Sequence, residues 1–251
     1  MLSDQRTCEP RSAQGRHLDA AMIHRSLESL ADEKIAQVSR RFFKTGPGQY
    51  GEGDVFLGIR VPQLRKLATS LRDISLPTAT AVLTSPIHEA RLLAMIILVR
   101  MYNEGDPPTR QAIYACYLDN TAHINNWDLV DTSAEHIVGA HLMSQPKRPL
   151  YALAQSTSLW ERRIAIMATF HYIKRHCYDE TIKVAEMLLD DREDLIHKAV
   201  GWMLREVGKR NLRREEQFLK QHLGKMPRTM LRYAIEKFPE PRRRALLAGR
   251  F

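Results

Sequence analysis

Cysteine is scarce in this chain. Cys8, Cys116 and Cys177 are the only three, and no two of them stand at a CxxC or zinc-type spacing. Neither a disulfide framework nor a structural zinc site fits that distribution, and the thiols are expected to be reduced, as in a cytosolic protein. Histidine is more plentiful, but no two copies form an HExxH pattern, and His136 and His141, five apart, share a helix face poorly. No metal and no cofactor are expected. No apolar run approaches the roughly 20 residues that a membrane crossing needs, so no membrane association is expected. The stretch 1–16 is polar and lacks the apolar centre of a signal peptide. It is expected to be a disordered tail in front of one domain spanning 17–251, a cytoplasmic monomer of bacterial type.

Strand-like alternation is also nearly missing. From residue 17 onward, apolar residues fall at helical spacing, and prolines stand between the segments. Leu18, Ala21, Met22, Leu27 and Leu30 predict a first helix, and 35–43 a second. Pro62 and Pro227 sit where proline opens a helix. Shorter helices are predicted at 76–83, 108–118, 149–154, 178–189 and 214–223. The fold class is all-α.

A repeat organises these helices. Arg91-Leu-Leu-Ala-Met, Arg163-Ile-Ala-Ile-Met, Lys198-Ala-Val-Gly-Trp202 and Arg232-Tyr-Ala-Ile-Glu each place a basic residue before three residues that are mostly small or aliphatic. Trp127 fills the remaining slot, so that 91, 127, 163, 198 and 232 are 36, 36, 35 and 34 residues apart. A helical period of this length predicts stacked helix pairs, a right-handed α-solenoid of HEAT-like repeats. Equivalent inner helices would then line one concave basic groove carrying Arg91, Trp127, Asp131, Arg163, Lys198, Trp202 and Arg232. The formal net charge of +9 favours a polyanionic partner, most simply nucleic acid, over a small neutral substrate, with a basic surface of no special use as the standing alternative.

Asn125-Asn126-Trp127-Asp128-Leu129-Val130-Asp131 reads as the head of the central inner helix. Asn125 or Asn126 can cap it, and Asp128 suits the positive end of its dipole. Trp127 and Asp131 lie one turn apart on one face. Two readings stand: a place for a cation between an aromatic plane and a carboxylate, or a core Trp with an Asp bonded to a neighbouring helix.

One segment departs from the helical pattern. Gly46, Gly48 and Gly51 spell GxGxxG, but no strand precedes them and Pro47 intervenes, so a dinucleotide site is rejected. A glycine-rich loop or short hairpin over 44–56 is predicted. With Lys44 and Arg60 flanking it, it either approaches a phosphate backbone or serves as a surface connection.

Four stretches together resemble the AlkD-type DNA alkylation repair family. They are Phe42-Phe43-Lys44-Thr45 with the glycine loop and Leu57-Gly58-Ile59-Arg60-Val61-Pro62; Trp127-Asp128-Leu129-Val130-Asp131; Leu159-Trp160-Glu161-Arg162-Arg163; and Lys198-Ala199-Val200-Gly201-Trp202-Met203-Leu204-Arg205-Glu206. The resemblance covers about 35–238. It implies a cleft for alkylated double-stranded DNA, with Trp127, Asp131, Arg163 and Trp202 around the damaged nucleotide. The implied reaction is hydrolysis of the N-glycosidic bond of cationic N3- or N7-alkylpurines without deep base flipping. Arg91, Arg163, Lys198 and Arg232 would hold phosphates, with Lys44, Arg60 and Phe42 as further DNA contacts. The glycine-rich insertion departs from the compact catalytic members and resembles that of AlkF- and AlkG-like relatives, which implies a second reading, a non-catalytic binder of branched or distorted DNA. A third reading is a HEAT-like scaffold for an acidic protein.

Overall fold

The computed structural model describes residues 19–251; the tail expected at 1–16 lies outside them. Among the described residues the chain is helical, with one isolated β-bridge between Val55 and Ile87 and no strand. In order, the helices are α1 (Ala20–Glu28), α2 (Glu33–Phe42), α3 (Val61–Ser70), α4 (Leu76–Leu83), α5 (His88–Glu104), α6 (Pro107–Asp119), α7 (Trp127–Ser133) and α8 (Ala140–Leu142). There follow α9 (Arg148–Ala154), α10 (Leu159–Ala168), α11 (Phe170–Ile173), α12 (Asp179–Met187), α13 (Asp194–Gly208), α14 (Leu212–His222), α15 (Arg228–Ala234) and α16 (Glu240–Leu247).

Local chemistry sets the boundaries. Asp32, Ser75, Asp106, Asn126 and Asn211 each accept a backbone N–H of the turn they open, satisfying one of the donors a helix start leaves free. Pro62 lies in the first turn of α3 and Pro227 caps α15, as their sequence context predicts. Between α7 and α8 the helix widens over Glu135–Gly139, where the Gly139 N–H reaches the Ala134 carbonyl five residues back at 2.9 Å. This π-turn does not pair His136 with His141, whose ring stacks on Tyr114 at 4.0 Å.

The helices form an α-solenoid. An inner row, α5, α7, α10, α13 and α15, packs each member on the next, while α4, α6, α9, α12 and α14 cover the row from outside. The apolar residues behind the repeat's basic position make this packing: Leu93, Ile164, Ile166, Val200 and Ile235 are fully buried, each burial contributing roughly 1.5–3 kcal/mol. Gly201 shows why one slot of the repeat is so small. A methyl group there would lie 2.4 Å from the Met230 carbonyl oxygen, so α13 and α15 approach this closely only over glycine.

The 44–56 segment is a loop of consecutive turns, not a hairpin. Gly51 donates to the Lys44 carbonyl and Asp54 to the Gly51 carbonyl, both at 3.1 Å. Lys44 itself turns through a left-handed φ of 53°. Beyond the loop, the buried Glu89 carboxylate accepts the N–H groups of Leu57, Gly58 and Ile59 at 3.0, 2.7 and 3.2 Å. Gly58 is required there, since its φ is 84° and a Cβ would stand 2.0 Å from the Asp32 carbonyl oxygen.

Candidate nucleic-acid interface

The inner helices bring Trp127, Asp131, Arg163, Lys198 and Trp202 to one side of the stack. Asn126 caps α7 by accepting the Trp127 N–H at 2.9 Å, which fixes Trp127 as the first helical residue and Asp131 one turn on. One face of the Trp127 indole stacks on Phe43 with centroids 5.3 Å apart, and Phe42 meets it edge-on at 5.8 Å. The ring borders two hollows. One, of about 340 Å³, is lined by Trp127, Asp131, Thr132, His136 and Arg65. The other, of about 400 Å³, is lined by Phe42, Tyr50, Trp127, Arg163, Lys198, Trp202 and Tyr233.

Asp131 is bonded to a neighbouring helix, as the second reading of its motif expects. Its carboxylate accepts Arg163 Nε–H at 2.9 Å and Nη2–H at 2.8 Å, a bidentate bond to the neighbouring helix. Its side chain nonetheless keeps 18% exposure, toward the hollow beside Trp127. Burial pushes the carboxyl above its ordinary value, and the Arg163 guanidinium pulls it part of the way back. Asp131 and Trp202 line different hollows, and Trp127 borders both. Trp202 is half-buried and packs near Phe170, with centroids 6.2 Å apart.

The basic position of the repeat serves two purposes. Arg91, expected to hold a phosphate, is buried, with Nη2 donating to Asp54 at 2.5 Å and Nη1 to the Ser85 carbonyl at 2.9 Å. That engagement removes it from the groove surface, a correction to the sequence expectation. Arg163 is likewise buried and committed, since Nη1 also donates to the Leu195 carbonyl at 2.6 Å and ties α10 to the head of α13. Lys198 and Arg232 do reach the groove surface. Lys198 is half-exposed and pairs with Asp194 at 2.7 Å, a hydrogen bond that raises its pKa, while Arg232 is exposed and lines a hollow shared with Lys198 and Tyr233. Lys44 and Arg60 are exposed at the two ends of the glycine-rich loop, and Phe42 is 62% exposed at the groove edge.

Sequence reasoning missed the charged core beneath this surface. Asp54, from the loop, accepts from Arg91 and from Asn126 Nδ2 (3.1 Å), and faces His88 Nδ1 at 3.1 Å. His88 Nε2 meets Asp128 at 2.8 Å. Burial alone would raise Asp54 and lower His88. Their hydrogen bonds and the charges around them overturn both, holding Asp54 below its ordinary value and pushing His88 up to about 9. The partners lie 34 to 72 residues apart, so no local pattern marks them. Tyr50 was missed for the same reason, since only the fold brings its loop to the groove, whereas Tyr233 stands beside Arg232 in the repeat and was passed over.

The DNA alkylation repair enzyme family model matches residues 23–238. Among solved structures, a predicted DNA alkylation repair enzyme from Enterococcus faecalis shares 17% identity, covering 84% of this chain and 97% of its own, with a TM-score of 0.64. The smu.31 protein of Streptococcus mutans UA159 also shares 17%, covering 88% of this chain and 99% of its own, at a TM-score of 0.50. At such identities the likeness speaks for the helical fold. No curated protein matches the chain. The family match spans nearly the whole described structure and agrees with the four stretches read from the sequence: the chain belongs to the DNA alkylation repair enzyme family.

Proposed function

We propose that this protein is a DNA glycosylase that hydrolyses the N-glycosidic bond of cationic N3- or N7-alkylated purines. The observation that carries the reading is Asp131: a carboxylate one turn from Trp127, held by two N–H groups of Arg163 yet partly open to the groove. An alkylated ring nitrogen makes the purine a cationic leaving group. It departs neutral with the bonding electron pair and needs little help from a general acid. Positive charge then develops on the deoxyribose. The ionised Asp131 opposes it directly, and the Trp127 face not covered by Phe43 adds about 0.5–2 kcal/mol by cation–π attraction, while Trp202 lines the neighbouring hollow. Water adds at the anomeric carbon and gives its proton to Asp131. Arg163 acts on Asp131 as a positioning residue, because the fork fixes both carboxylate oxygens. Lys198, Arg232, Lys44 and Arg60 neutralise phosphates and set register.

The deciding experiment is release of N7-methylguanine and N3-methyladenine from methylated duplex DNA, comparing wild type with Asp131→Asn. Release by wild type, lost in a variant that still binds DNA, supports the reading. A folded wild-type protein that binds DNA and releases neither base refutes it. A second reading, a non-catalytic binder of branched DNA, draws on one observation: the glycine-rich loop stands at the groove edge, with Tyr50 reaching Trp160 on α10 at 6.0 Å. It predicts that deleting 46–53 weakens junction binding more than duplex binding.

A further inference from the structure

The charged core under the groove joins two parts of the chain that carry its aromatic wall. Asp54 belongs to the glycine-rich loop; Asn126 and Asp128 belong to the head of α7; His88 and Arg91 stand on α5 between them. Asn126 uses both ends of its amide: Nδ2 donates to Asp54 at 3.1 Å, and Oδ1 accepts the N–H of Trp127 at 2.9 Å. His88 presents one ring nitrogen to each acid. With a carboxylate at each nitrogen, both must donate, so the ring is the imidazolium. The aromatic contacts run parallel to the polar ones. The His88 ring stacks on Phe56 with centroids 4.5 Å apart, Phe56 on Phe43 at 5.1 Å, and Phe43 on Trp127 at 5.3 Å.

We propose that Asp54, His88 and Asn126 are positioning residues that latch the glycine-rich loop to the head of α7, so that Phe42, Phe43, Tyr50 and Trp127 meet DNA as one preformed wall. The proposal rests on reading the groove as the DNA surface, and does not require catalysis. Two acids and two bases balance in the core, Asp54 and Asp128 against His88 and Arg91. Buried charge of this kind is tolerated only when every member is partnered. The loop therefore cannot leave without taking from Arg91 its only acid among the described residues and from His88 one of its two, and a loop rich in glycine acquires a fixed place. Ordering it before DNA arrives removes that entropy from the binding step.

The charges facing His88 are Asp54 from the loop, Asp128 from α7 and, beyond Asp54, Arg91 on its own helix. Glu89, beside it on α5, is turned to the N–H groups of Leu57, Gly58 and Ile59 just beyond the loop. Arg65 of α3 lines the hollow on which Asp128 opens. With His88 pushed up to about 9 from 6.5, the latch is intact at neutral pH and opens as pH rises through about 9. Its contribution to stability has the same sign: complete below 6.5 and lost on the way to 9.

The test uses the full chain. With Trp160→Phe and Trp202→Phe, Trp127 is the only tryptophan left, and its emission, one ring away from His88 across Phe43, reports the charge on that imidazole. Emission is expected to titrate near pH 9, and to become flat in the same background with His88→Gln. In the otherwise native protein, folded Asp54→Asn is expected to exchange its 44–58 amides faster and to bind labelled duplex DNA about tenfold more weakly, the effect of losing one charge-assisted hydrogen bond. Emission that ignores pH, or an Asp54→Asn protein with wild-type loop exchange and DNA affinity, would overturn the latch. None of these readouts depends on base release, so absence of glycosylase activity and failure of the latch give different patterns. Should Asp54→Asn melt at working temperature, Asn126→Ala carries the same comparison without removing a charge.

Discussion

Two buried acids, one in the glycine-rich loop and one on the covering helix α14, meet opposite fates. Asp54, where the loop meets α5 and α7, has Arg91, His88 and Asn126 around its two oxygens and is held below its ordinary value. Glu215, on α14 against α13, is as deeply buried, but its Oε1 has no partner and burial pushes it up to about 8. Desolvation acts on both; partners decide the outcome. Asp131 sits between these extremes, with one guanidinium against it and a pKa raised in spite of that partner. The N-terminal end thus spends buried charge on fixing a loop and an aromatic wall, while the C-terminal end keeps its cations at the surface, Arg232 exposed and Lys198 half-exposed on a surface pair with Asp194.

The sharpest way to break this contrast is Arg91→Met. Removing the guanidinium leaves Asp54 buried and undercompensated, and a loss of about 3–5 kcal/mol of stability is expected in denaturant unfolding. Adding Asp54→Asn should recover part of that loss, since the stranded charge is then gone. A double variant no better than the single one would show that Arg91 acts by packing alone. Next in size is Asp131→Asn. Under the proposed chemistry it lowers base release about 10²–10³-fold, with DNA affinity little changed. Burial raises the Asp131 pKa, so the acid limb of the rate should lie above the ordinary carboxylate range and vanish in the variant.

How much of this was legible in the sequence follows from how far apart the partners lie. The helices were legible because caps, prolines and the 3.6-residue apolar pattern are local: 76–83 is α4 to the residue, and Asn126 caps α7 as its side chain suggests. The inner row was legible through its period. What the period could not say is which way each basic residue points. Positions 91 and 163 share the slot with 198 and 232, yet the first two are buried and bonded to the neighbouring segment, because Asp54 and Asp131 wait for them there. Those acids sit 37 and 32 residues from their partners. The latch was invisible for the same reason, and a glycine-rich stretch reads as loose until the residue that pins it is seen across the fold.

Glu215→Gln probes the other buried acid. A carboxyl raised to about 8 from 4.5 keeps its proton in the folded state over that interval, so its contribution is present below 4.5 and lost as pH rises through 8. Glutamine cannot ionise. The variant should match wild type near pH 4.5 and exceed it increasingly as pH rises toward 8, by up to about 1.4 kcal/mol per unit of pH, because only the carboxyl must be held protonated. A stability difference that does not change with pH would mean that Glu215 has found a partner.

The smallest effect is also the most direct comparison of the two ends. An exposed cation that neutralises a phosphate releases a counterion, so each of Lys198→Ala and Arg232→Ala should reduce the slope of log affinity against log salt by about 0.9 for duplex DNA. Arg91 is equally basic in sequence and occupies the same slot of the repeat, but its charge is spent on Asp54 inside the protein. A folded Arg91→Lys variant should therefore leave the slope unchanged even where it weakens binding. Equal slopes for all three substitutions would erase the distinction between a buried end that shapes the groove and an exposed end that grips the backbone. A drop confined to Lys198 and Arg232 would show that one repeat position has been put to two uses, set by whether an acid from another repeat reaches it first.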